Sequence, residues 1–251
     1  MKVLGIDIGG SGIKGAVVDV KDGSLKTKRH RVPTPRPATP DAVARTVRKV
    51  ARKFEWSGPI GVTLPARIQH GVAKTAANIH ESWIDTPVRA LFQDATGCPV
   101  AVLNDADAAG VAAMEFGAGR GRKDLVIMLT VGTGIGSAMF HRGRLVPGTE
   151  FGHLPLHGDA AELYAADSAR KREELSWEVW AGRFQEYLDL VEFLLAPDLI
   201  IVGGGVSRPA KLKEYWHLLR TQAELVPAEL ENEAGMIGAA VVARKKARKR
   251  K

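Results

Sequence analysis

The chain contains a single cysteine, Cys98, among its 251 residues. One thiol can form no internal disulfide, and it cannot supply the thiolate cluster that holds most structural zinc ions. Such a low cysteine content is typical of proteins from reducing compartments. We therefore expect a cytoplasmic protein whose stability depends neither on disulfides nor on a cysteine-bound zinc.

Long hydrophobic runs are scarce as well. The apolar run at the start of the sequence is interrupted at Asp7. No later run reaches the ~20 residues that a membrane-spanning helix needs, so we expect neither a signal peptide nor a membrane partner. The apolar content of 45% is nevertheless ample for a core, and the length suits one large domain or two smaller lobes.

Positive charge is unevenly spread along the sequence. The formal net charge is +8, but residues 244–251 carry seven basic side chains and no acid, so the rest of the chain has a net charge of only +1. We interpret this segment as the solvated end of a final helix, with a nucleic-acid or membrane arm as the alternative. A nucleic-acid partner is therefore not expected.

Glycine is concentrated in a turn near the start of the chain. An apolar strand over residues 3–8 leads into the glycine-rich residues 9–12, with Asp7 before the turn and Lys14 after it. Glycines let backbone amides approach a phosphate, Asp7 can hold a hydrated Mg²⁺, and Lys14 can counter phosphate charge. The spacing differs from a Walker P-loop. The alternative is a hairpin turn without a ligand.

A second turn of the same design lies about 120 residues later. Residues 129–137 run from an apolar strand through Gly-Thr-Gly into another apolar strand. Two such hairpins in one chain indicate a duplicated architecture with one hairpin in each lobe. A nucleotide or a phosphate chain held between the lobes would use both turns.

The remaining patterns alternate between strand and helix, which predicts an α/β fold. Helices are expected over residues 40–54, 87–97, 105–117, 176–195 and 233–248. Strands are expected over residues 3–8, 13–18, 26–32, 60–64, 100–103, 125–131, 135–140 and 199–202.

Two of these helices have a recognisable apolar face. The first is predicted to expose its basic residues, namely Arg45, Arg48, Lys49, Arg52 and Lys53. The long helix after Ser176 is predicted to turn these residues inward: Val179, Phe184, Leu188, Val191 and Leu195.

Polar or glycine-rich residues follow two of the predicted strands. Asn104 and Asp105 come directly after strand 100–103, at the strand end where α/β enzymes carry functional side chains. Asp105 can accept the proton of an attacking hydroxyl, and Asn104 can bind another hydroxyl. The alternative is that the pair merely caps the next helix. Likewise, Gly204 and Gly205 after strand 199–202 fit either a nucleotide crevice or a tight turn.

A loop after the second hairpin contains Glu150, His153 and Glu162, and an earlier loop contains Asn78. Carboxylate, imidazole and amide groups are those that a site needs to bind the hydroxyls of a sugar. A metal cluster that includes His157 is the alternative, but the characteristic ligand spacings are missing.

Seven motifs along the whole chain together resemble the ROK sugar kinases. Within that family the likeness is greatest to the polyphosphate glucokinases, because of Trp83, the sequence Leu-Ser-Trp at 175–177 and the sequence Pro-Asp at 197–198. The motifs are DIGGSGIK (7–14), LPA (64–66), AANIHESW (76–83), LNDAD (103–107), LTVGTGIGS (129–137), EFGHLPL (150–156) and LIIVGGGVS (199–207).

The resemblance implies a two-lobed actin/hexokinase-like fold, itself ribonuclease H-like, and a Mg²⁺-dependent transfer of phosphate to glucose. Asp105 would be the general base. The implied sugar-binding residues are Pro65, Ala66, Asn78, Asn104, Asp105, Glu150, His153 and Glu162. The implied donor-binding residues are Asp7, Gly9, Gly10, Ser11, Gly12, Lys14, Thr133, Gly134, Gly204, Gly205, Arg208 and Lys211, with Asp7 as the Mg²⁺ ligand.

The sequence departs from the family pattern at one point. Many members bind zinc through a cysteine cluster, where this chain has Gly158-Asp-Ala-Ala-Glu162, so no zinc is expected. Polyphosphate as donor would need a basic track, for which Lys14, Arg208, Lys211 and Lys213 are the candidates.

The expected lobes are residues 1–105, with helix 235–251 packing back on them, and residues 106–234. A homodimer is implied by the resemblance alone. The alternatives are an ATP-dependent kinase for glucose, mannose or another hexose, a sugar-sensing regulator, and a nucleic-acid-binding protein. Only six residues precede Asp7, which disfavours the helix-turn-helix segment of a regulator.

Overall fold

The computed structural model describes residues 1–76 and 79–248. The chain forms two compact units: the first comprises Met1–Ala112 and the segment from Glu233 onward, and the second comprises Ala113–Asn232. The boundary between Ala112 and Ala113 falls within the helix Asp105–Phe116. Among the described residues, the helices are too short or too polar to cross a membrane.

The first unit is built on a five-stranded sheet with the order β3-β2-β1-β4-β7. The first three strands form an antiparallel meander, whereas β4 and β7 add to β1 in parallel. The elements are β1 (Lys2–Ile8), β2 (Ile13–Asp19), β3 (His30–Val32), α1 (Pro40–Lys53), β4 (Ile60–Leu64), β5 (Ile68–Gln69), β6 (Val72–Ala73), α2 (Val88–Thr96), β7 (Val100–Asn104) and α3 (Asp105–Phe116).

The strand expected over residues 26–32 is shorter than predicted. Only His30–Val32 pair with β2 as a ladder. Upstream, the N–H of Val17 donates to the side-chain hydroxyl of Thr27 at 3.0 Å. In a regular β-ladder it would donate to a backbone carbonyl. An isolated bridge still joins Leu25 to Val18, and the N–H of Lys26 donates to the Val17 carbonyl at 2.7 Å. The chain therefore leaves the sheet only after Lys26, and the basic side chains of this connection are exposed.

Helix α1 covers one face of this sheet. Val43, Val47 and Val50 are fully buried, as their spacing predicts, and the basic residues between them are exposed. A Cβ atom at Gly15 on β2 would lie 2.5 Å from Val50 Cγ1, so the helix lies directly against the sheet there.

The second unit repeats the plan of the first. Its sheet has the order β10-β9-β8-β13-β14, again an antiparallel meander extended by two parallel strands. The predicted duplication of hairpins is therefore confirmed. The elements are β8 (Leu125–Val131), β9 (Ile135–His141), β10 (Arg144–Val146), β11 (Pro155–Leu156), β12 (Asp159–Ala160), α4 (Ala161–Ala165), α5 (Asp167–Arg172), α6 (Trp177–Leu195), β13 (Leu199–Gly204), α7 (Pro209–Tyr215) and β14 (Glu224–Pro227).

One position in α6 corrects the predicted apolar face. Val179 is 54% exposed, whereas its neighbour Trp180 is fully buried. The indole N–H of Trp180 donates to the Ala165 carbonyl at 3.0 Å, and its ring stacks on Phe184. The large aromatic surface of Trp180 thus determines which side of the helix faces the core.

The last helix, α8 (Ala234–Arg248), belongs to the first unit and packs on β1, β4 and β7. It lies on the sheet face opposite α1, and small residues allow a very close approach. A Cβ atom at Gly61 on β4 would collide with the backbone of Ala239. A Cβ atom at Gly238 would collide with the carbonyl oxygen of Ala108 on α3.

Candidate active site

The carboxylate of Asp7 is held between two neighbouring strands. The ladder places Asp7 opposite Lys14 on β2 and opposite Thr63 on β4. The Thr63 hydroxyl, which is buried, donates to Asp7 Oδ1 at 2.7 Å. Lys14 Nζ lies 3.7 Å from Asp7 Oδ2. Thr63 is a site residue that the sequence analysis missed, because its position beside Asp7 depends on how β1 and β4 pair.

The first glycine turn is fixed by two further side chains that sequence reasoning missed. Within the turn, the N–H of Gly9 donates to the carbonyl of Gly12 at 3.1 Å. Arg31 Nη2 donates to the Ser11 carbonyl at 2.7 Å, and the Thr34 hydroxyl donates to the Gly9 carbonyl at 2.6 Å. Both contacts arise because the antiparallel meander brings β3 and the residues after it back to the turn.

Arg31 also explains one glycine of the turn. A Cβ atom at Gly12 would lie 2.5 Å from the Arg31 Nε atom, so a larger residue would displace the guanidinium. Arg31 lies opposite Lys14 in the β2–β3 ladder. Two positive charges therefore lie side by side at the turn, which is the arrangement that an anionic phosphate group favours.

The Asp7 carboxylate has the chemistry of a Mg²⁺ ligand. Magnesium is usually held by one or two carboxylates, with substrate phosphates and water completing the shell. The Asp7 side chain is 22% exposed, so water and phosphate can reach it. Among the described residues there is no cluster of three or more His, Cys, Asp or Glu side chains for a fully protein-bound metal.

Asn104 and Asp105 stand at the junction of β7 and α3. Asn104 Oδ1 accepts the N–H groups of Ala106 and Asp107 at 2.7 and 3.2 Å, so Asn104 caps α3 as the structural alternative predicts. Its amide group donates to the Ala66 carbonyl at 3.4 Å. These bonds fix the Asn104 side chain beside Asp105, while further amide capacity is left for a ligand.

The Asp105 carboxylate is accessible, and its pKa is raised. One oxygen accepts the N–H of Ala106 at 2.9 Å, and the residue is exposed to solvent. Protein nevertheless surrounds most of the carboxylate, and this burial is the main reason why the pKa of Asp105 is raised; the negative charge of Asp7 raises it further. A carboxylate with a raised pKa is a stronger base, as general base catalysis requires.

The raised pKa gives a prediction for the metal-free protein. A ¹³C NMR titration of the Asp105 carboxyl should have its midpoint above about 3.9, the usual value for aspartate. Replacing Asp7 by asparagine removes the neighbouring negative charge, so the midpoint should move down. A midpoint at or below the usual value in the parent protein would contradict this electrostatic account.

A pocket of about 340 Å³ adjoins the first glycine turn within the same unit. Its lining includes the backbone of Gly9 and Gly10, together with Pro65, His80 and Trp83. The Trp83 ring is buried and its N–H donates to the Ala38 carbonyl at 2.8 Å. The volume is in the range of small-molecule sites. Asn78, a predicted sugar ligand, lies outside the described residues.

In the second unit, the second glycine turn is anchored to α5. The N–H of Ser168 donates to the Gly132 carbonyl at 3.0 Å, and its hydroxyl donates to the Thr133 carbonyl at 2.6 Å. Thr133 itself is exposed. The turn therefore keeps a fixed shape while Thr133 remains available to a ligand.

Glu162 contacts this same turn. Its Oε2 atom accepts the N–H of Ile135 at 2.9 Å, and a Cβ atom at Gly134 would collide with that oxygen. Gly134 is thus required partly by Glu162, a link that sequence spacing could not reveal. The role of Glu162 as a sugar ligand stays a prediction.

Glu150 precedes a short 3-10 helix, Phe151–His153, and His153 is its last residue. The N–H of His153 donates to the Glu150 carbonyl at 3.0 Å. This helix packs on β9 and α4, so both residues lie near the element that carries Glu162. His157, by contrast, lies 2.6 Å from Glu186 and is engaged there.

Lys211 is joined to a buried carboxylate in the second unit. Its Nζ atom lies 3.2 Å from Asp167 Oδ2, and Arg170 and Lys171 bind the same carboxyl. Burial alone would raise the pKa of Asp167, but the hydrogen bonds from these cations outweigh it and hold the pKa below its usual range. The charge of Lys211 is therefore partly balanced within the protein.

Gly204, the last residue of β13, and the following Gly205 have different surroundings. Gly204 has a φ of 84° and backbone so close to β8 that a Cβ atom would lie 2.7 Å from the Val131 nitrogen. A Cβ atom at Gly205 would lie 3.9 Å from Lys211 Nζ, which is an ordinary contact distance. Arg208 is exposed at the start of α7. Close packing thus explains Gly204, whereas the donor-binding roles of Gly205, Arg208 and Lys211 stay predictions.

Comparison with known proteins identifies relatives of this chain. The chain is 47% identical over 239 residues to the polyphosphate glucokinase of Mycobacterium tuberculosis (strain H37Rv), covering 95% of this chain and 89% of the relative. The crystal structure of an inorganic polyphosphate/ATP-glucomannokinase from Arthrobacter sp. strain KM superposes with a TM-score of 0.91 at 47% identity, covering 98% of this chain and 99% of the other.

A more distant structure has the same fold. The ROK family glucokinase from Streptomyces griseus, in complex with glucose and AMPPNP, has a TM-score of 0.78 at 25% identity and covers 98% of this chain and all of the other. The predicted α/β fold of the actin/hexokinase type is therefore confirmed. A model of the ROK family matches residues 3–167. Because this match spans more than half of the sequence, the chain belongs to the ROK family.

Proposed function

We propose that the protein is a polyphosphate glucokinase, which makes glucose 6-phosphate from glucose with inorganic polyphosphate as the phosphoryl donor. The observation that carries this proposal is the 47% identity to a polyphosphate glucokinase over 95% of the chain. The predicted base, Asp105, and the first glycine turn lie within residues 3–167, which the ROK family model matches.

Asp105 acts as the general base in the proposed reaction. Its carboxylate accepts the proton of the sugar 6-hydroxyl while that oxygen attacks the terminal phosphorus of the donor. The bond between this phosphorus and the bridging oxygen of the donor breaks, and the shortened chain leaves with the electron pair. The solvent access of Asp105 and its raised pKa support this role. Asn104, held by the Ala66 carbonyl, positions the sugar beside the base.

The donor phosphates are bound by backbone amides of the first glycine turn, together with Lys14 and Arg31. A loose phosphoryl-transfer transition state has its charge spread over the oxygens, so positioning and electrostatics supply most of the acceleration. Mg²⁺ bound through Asp7 would neutralise charge on the donor phosphates. In the second unit, we assign the second turn with Thr133 to the donor, and Glu150, His153 and Glu162 to the sugar.

A direct assay tests the proposal. The purified protein is incubated with glucose, Mg²⁺ and either long-chain polyphosphate or ATP, and glucose 6-phosphate is measured with a coupled dehydrogenase. We expect product with polyphosphate, and none when the donor or Mg²⁺ is withheld. Absence of product with either donor would refute the kinase assignment.

An ATP-dependent hexokinase is the second candidate, since the Streptomyces griseus glucokinase structure holds AMPPNP. The same assay separates the two, because a strict ATP enzyme gives product with ATP alone. Mannose is proposed as a second sugar on the basis of the glucomannokinase similarity. The homodimer remains a prediction from the family resemblance.

A further inference from the structure

A shallow basin lies beside the connection between β2 and β3. We call it the basic basin, and it is lined by Leu25, Lys26, Thr27, Lys28, Arg29 and Glu233. Lys26, Lys28 and Arg29 are all exposed. The basin exists because the chain leaves the sheet before β3, so three cations are presented by five consecutive residues.

Two short segments of the chain connect the basic basin with the first glycine turn. Arg29 Nε lies 3.9 Å from the carboxylate of Glu233, just before α8. Two residues later, Gly235 lies against Asp7: a Cβ atom there would be 3.4 Å from Asp7 Oδ1. On the other side, Arg31 follows Arg29 by two residues and binds Ser11 of the turn. Residues 233–235 and residues 29–31 therefore link the basin to the residues that we assign to the donor phosphates.

The positive charges of this region are only weakly compensated. Lys26 lies 3.6 Å from Asp22, and Arg29 lies 3.9 Å from Glu233. Such exposed ion pairs contribute little to stability, so they exchange readily for contacts with a polyanion. Arg31 binds a backbone carbonyl and a hydroxyl rather than a carboxylate. A highly charged ligand would thus gain several favourable contacts without breaking strong ones.

The lining also indicates which donor would use the basin. A nucleoside is bound by aromatic or apolar surface around its base, with polar groups fixing its orientation. The six described residues that line the basin include no aromatic side chain, and Leu25 is its one aliphatic residue. A chain of linked phosphates needs only closely spaced cations.

From these observations we infer that the basic basin, continued by Arg31, binds the part of a polyphosphate chain that extends beyond the phosphates at the glycine turn. The inference rests on the proposed function, and it adds a donor site that does not involve Arg208, Lys211 or Lys213. The basin would bind long-chain polyphosphate, whereas ATP and tripolyphosphate would engage only the turn.

The test removes the three cations together, in the variant Lys26→Gln/Lys28→Gln/Arg29→Gln. We expect the KM for long-chain polyphosphate to rise at least tenfold, with less dependence on salt. The KM values for ATP, tripolyphosphate and glucose should stay within about twofold, because the turn and the base are untouched. A matched control, Arg48→Gln/Lys49→Gln/Arg52→Gln, removes the same charge from the exposed side of α1, which packs on the opposite sheet face from α8.

Three results would overturn the inference: an unchanged KM for long-chain polyphosphate, an equal rise in the α1 control, or an equal rise for tripolyphosphate. Direct binding of long-chain polyphosphate, measured by fluorescence anisotropy, separates this inference from the proposed function. One outcome is that the parent protein transfers phosphate only from ATP and yet binds polyphosphate, while the basin variant does not bind it. In that case the binding site is supported and the donor assignment fails. If the parent protein does not bind polyphosphate, the basin inference fails.

Discussion

The variant Asp105→Asn should phosphorylate glucose about a thousandfold more slowly than the parent protein, within the factor of about 10² to 10⁴ that a positioned general base supplies. Asparagine has nearly the same shape and can still accept the N–H of Ala106, so α3 should keep its start. It cannot take up the proton of the sugar hydroxyl. The loss should appear in kcat, with the KM for glucose changed by less than about threefold, since the base acts mainly in the transition state.

Steady-state kinetics with saturating donor measures this effect. Asp94→Asn is the matched control, because Asp94 is an exposed carboxylate on α2 of the same unit. It loses the same charge and should keep full turnover. If the Asp105→Asn enzyme retained more than a tenth of the parent kcat, Asp105 would not be the general base.

Gly238→Ala should lower the free energy of unfolding by about 3 kcal/mol or more, at the upper end of the cost of overpacking. The added methyl group would collide with the carbonyl oxygen of Ala108. Both partners are helix backbone, so relief requires α8 to move away from α3 and from the sheet. Urea denaturation of the two proteins, followed by circular dichroism, measures the difference.

The same substitution elsewhere provides the control. Gly182 also lies inside a helix, α6, but a Cβ atom there has no heavy atom within 4 Å. Gly182→Ala should therefore be neutral or stabilising by up to about 1 kcal/mol, because alanine has the higher helix propensity. If both variants had the same stability, helix propensity rather than the α8 contact would govern this position.

Local sequence patterns predict a large part of this fold. Strands such as β1, β2, β8 and β9 are apolar runs broken by glycine turns, and both hairpins are where the sequence predicts them. The five predicted helices are likewise present. These elements depend on short-range periodicity, which one sequence contains in full. Short pairs such as β5–β6 and β11–β12 have too few residues for a period and escape prediction.

The candidate site was predictable where a residue type alone indicates its chemistry, as for Asp7, Lys14 and Asp105. Its supporting contacts were not, because they depend on register between strands that are far apart in sequence. Thr63 lies beside Asp7 only through the pairing of β1 with β4. Arg31 reaches the first turn only through the β2–β3 ladder. The contact of Glu162 with Gly134 needs the packing of α4 against the second turn.

The position of α8 in the chain has a consequence for biosynthesis. Ribosomes make the strands of the first unit early, but the helix that covers one face of their sheet follows all of Ala113–Asn232. At about 5–20 residues per second, that interval lasts roughly 6–24 s. During this time the nascent chain carries an apolar sheet surface without its helix, a natural target for chaperones. The part of the protein that is translated first is therefore the last to be completed.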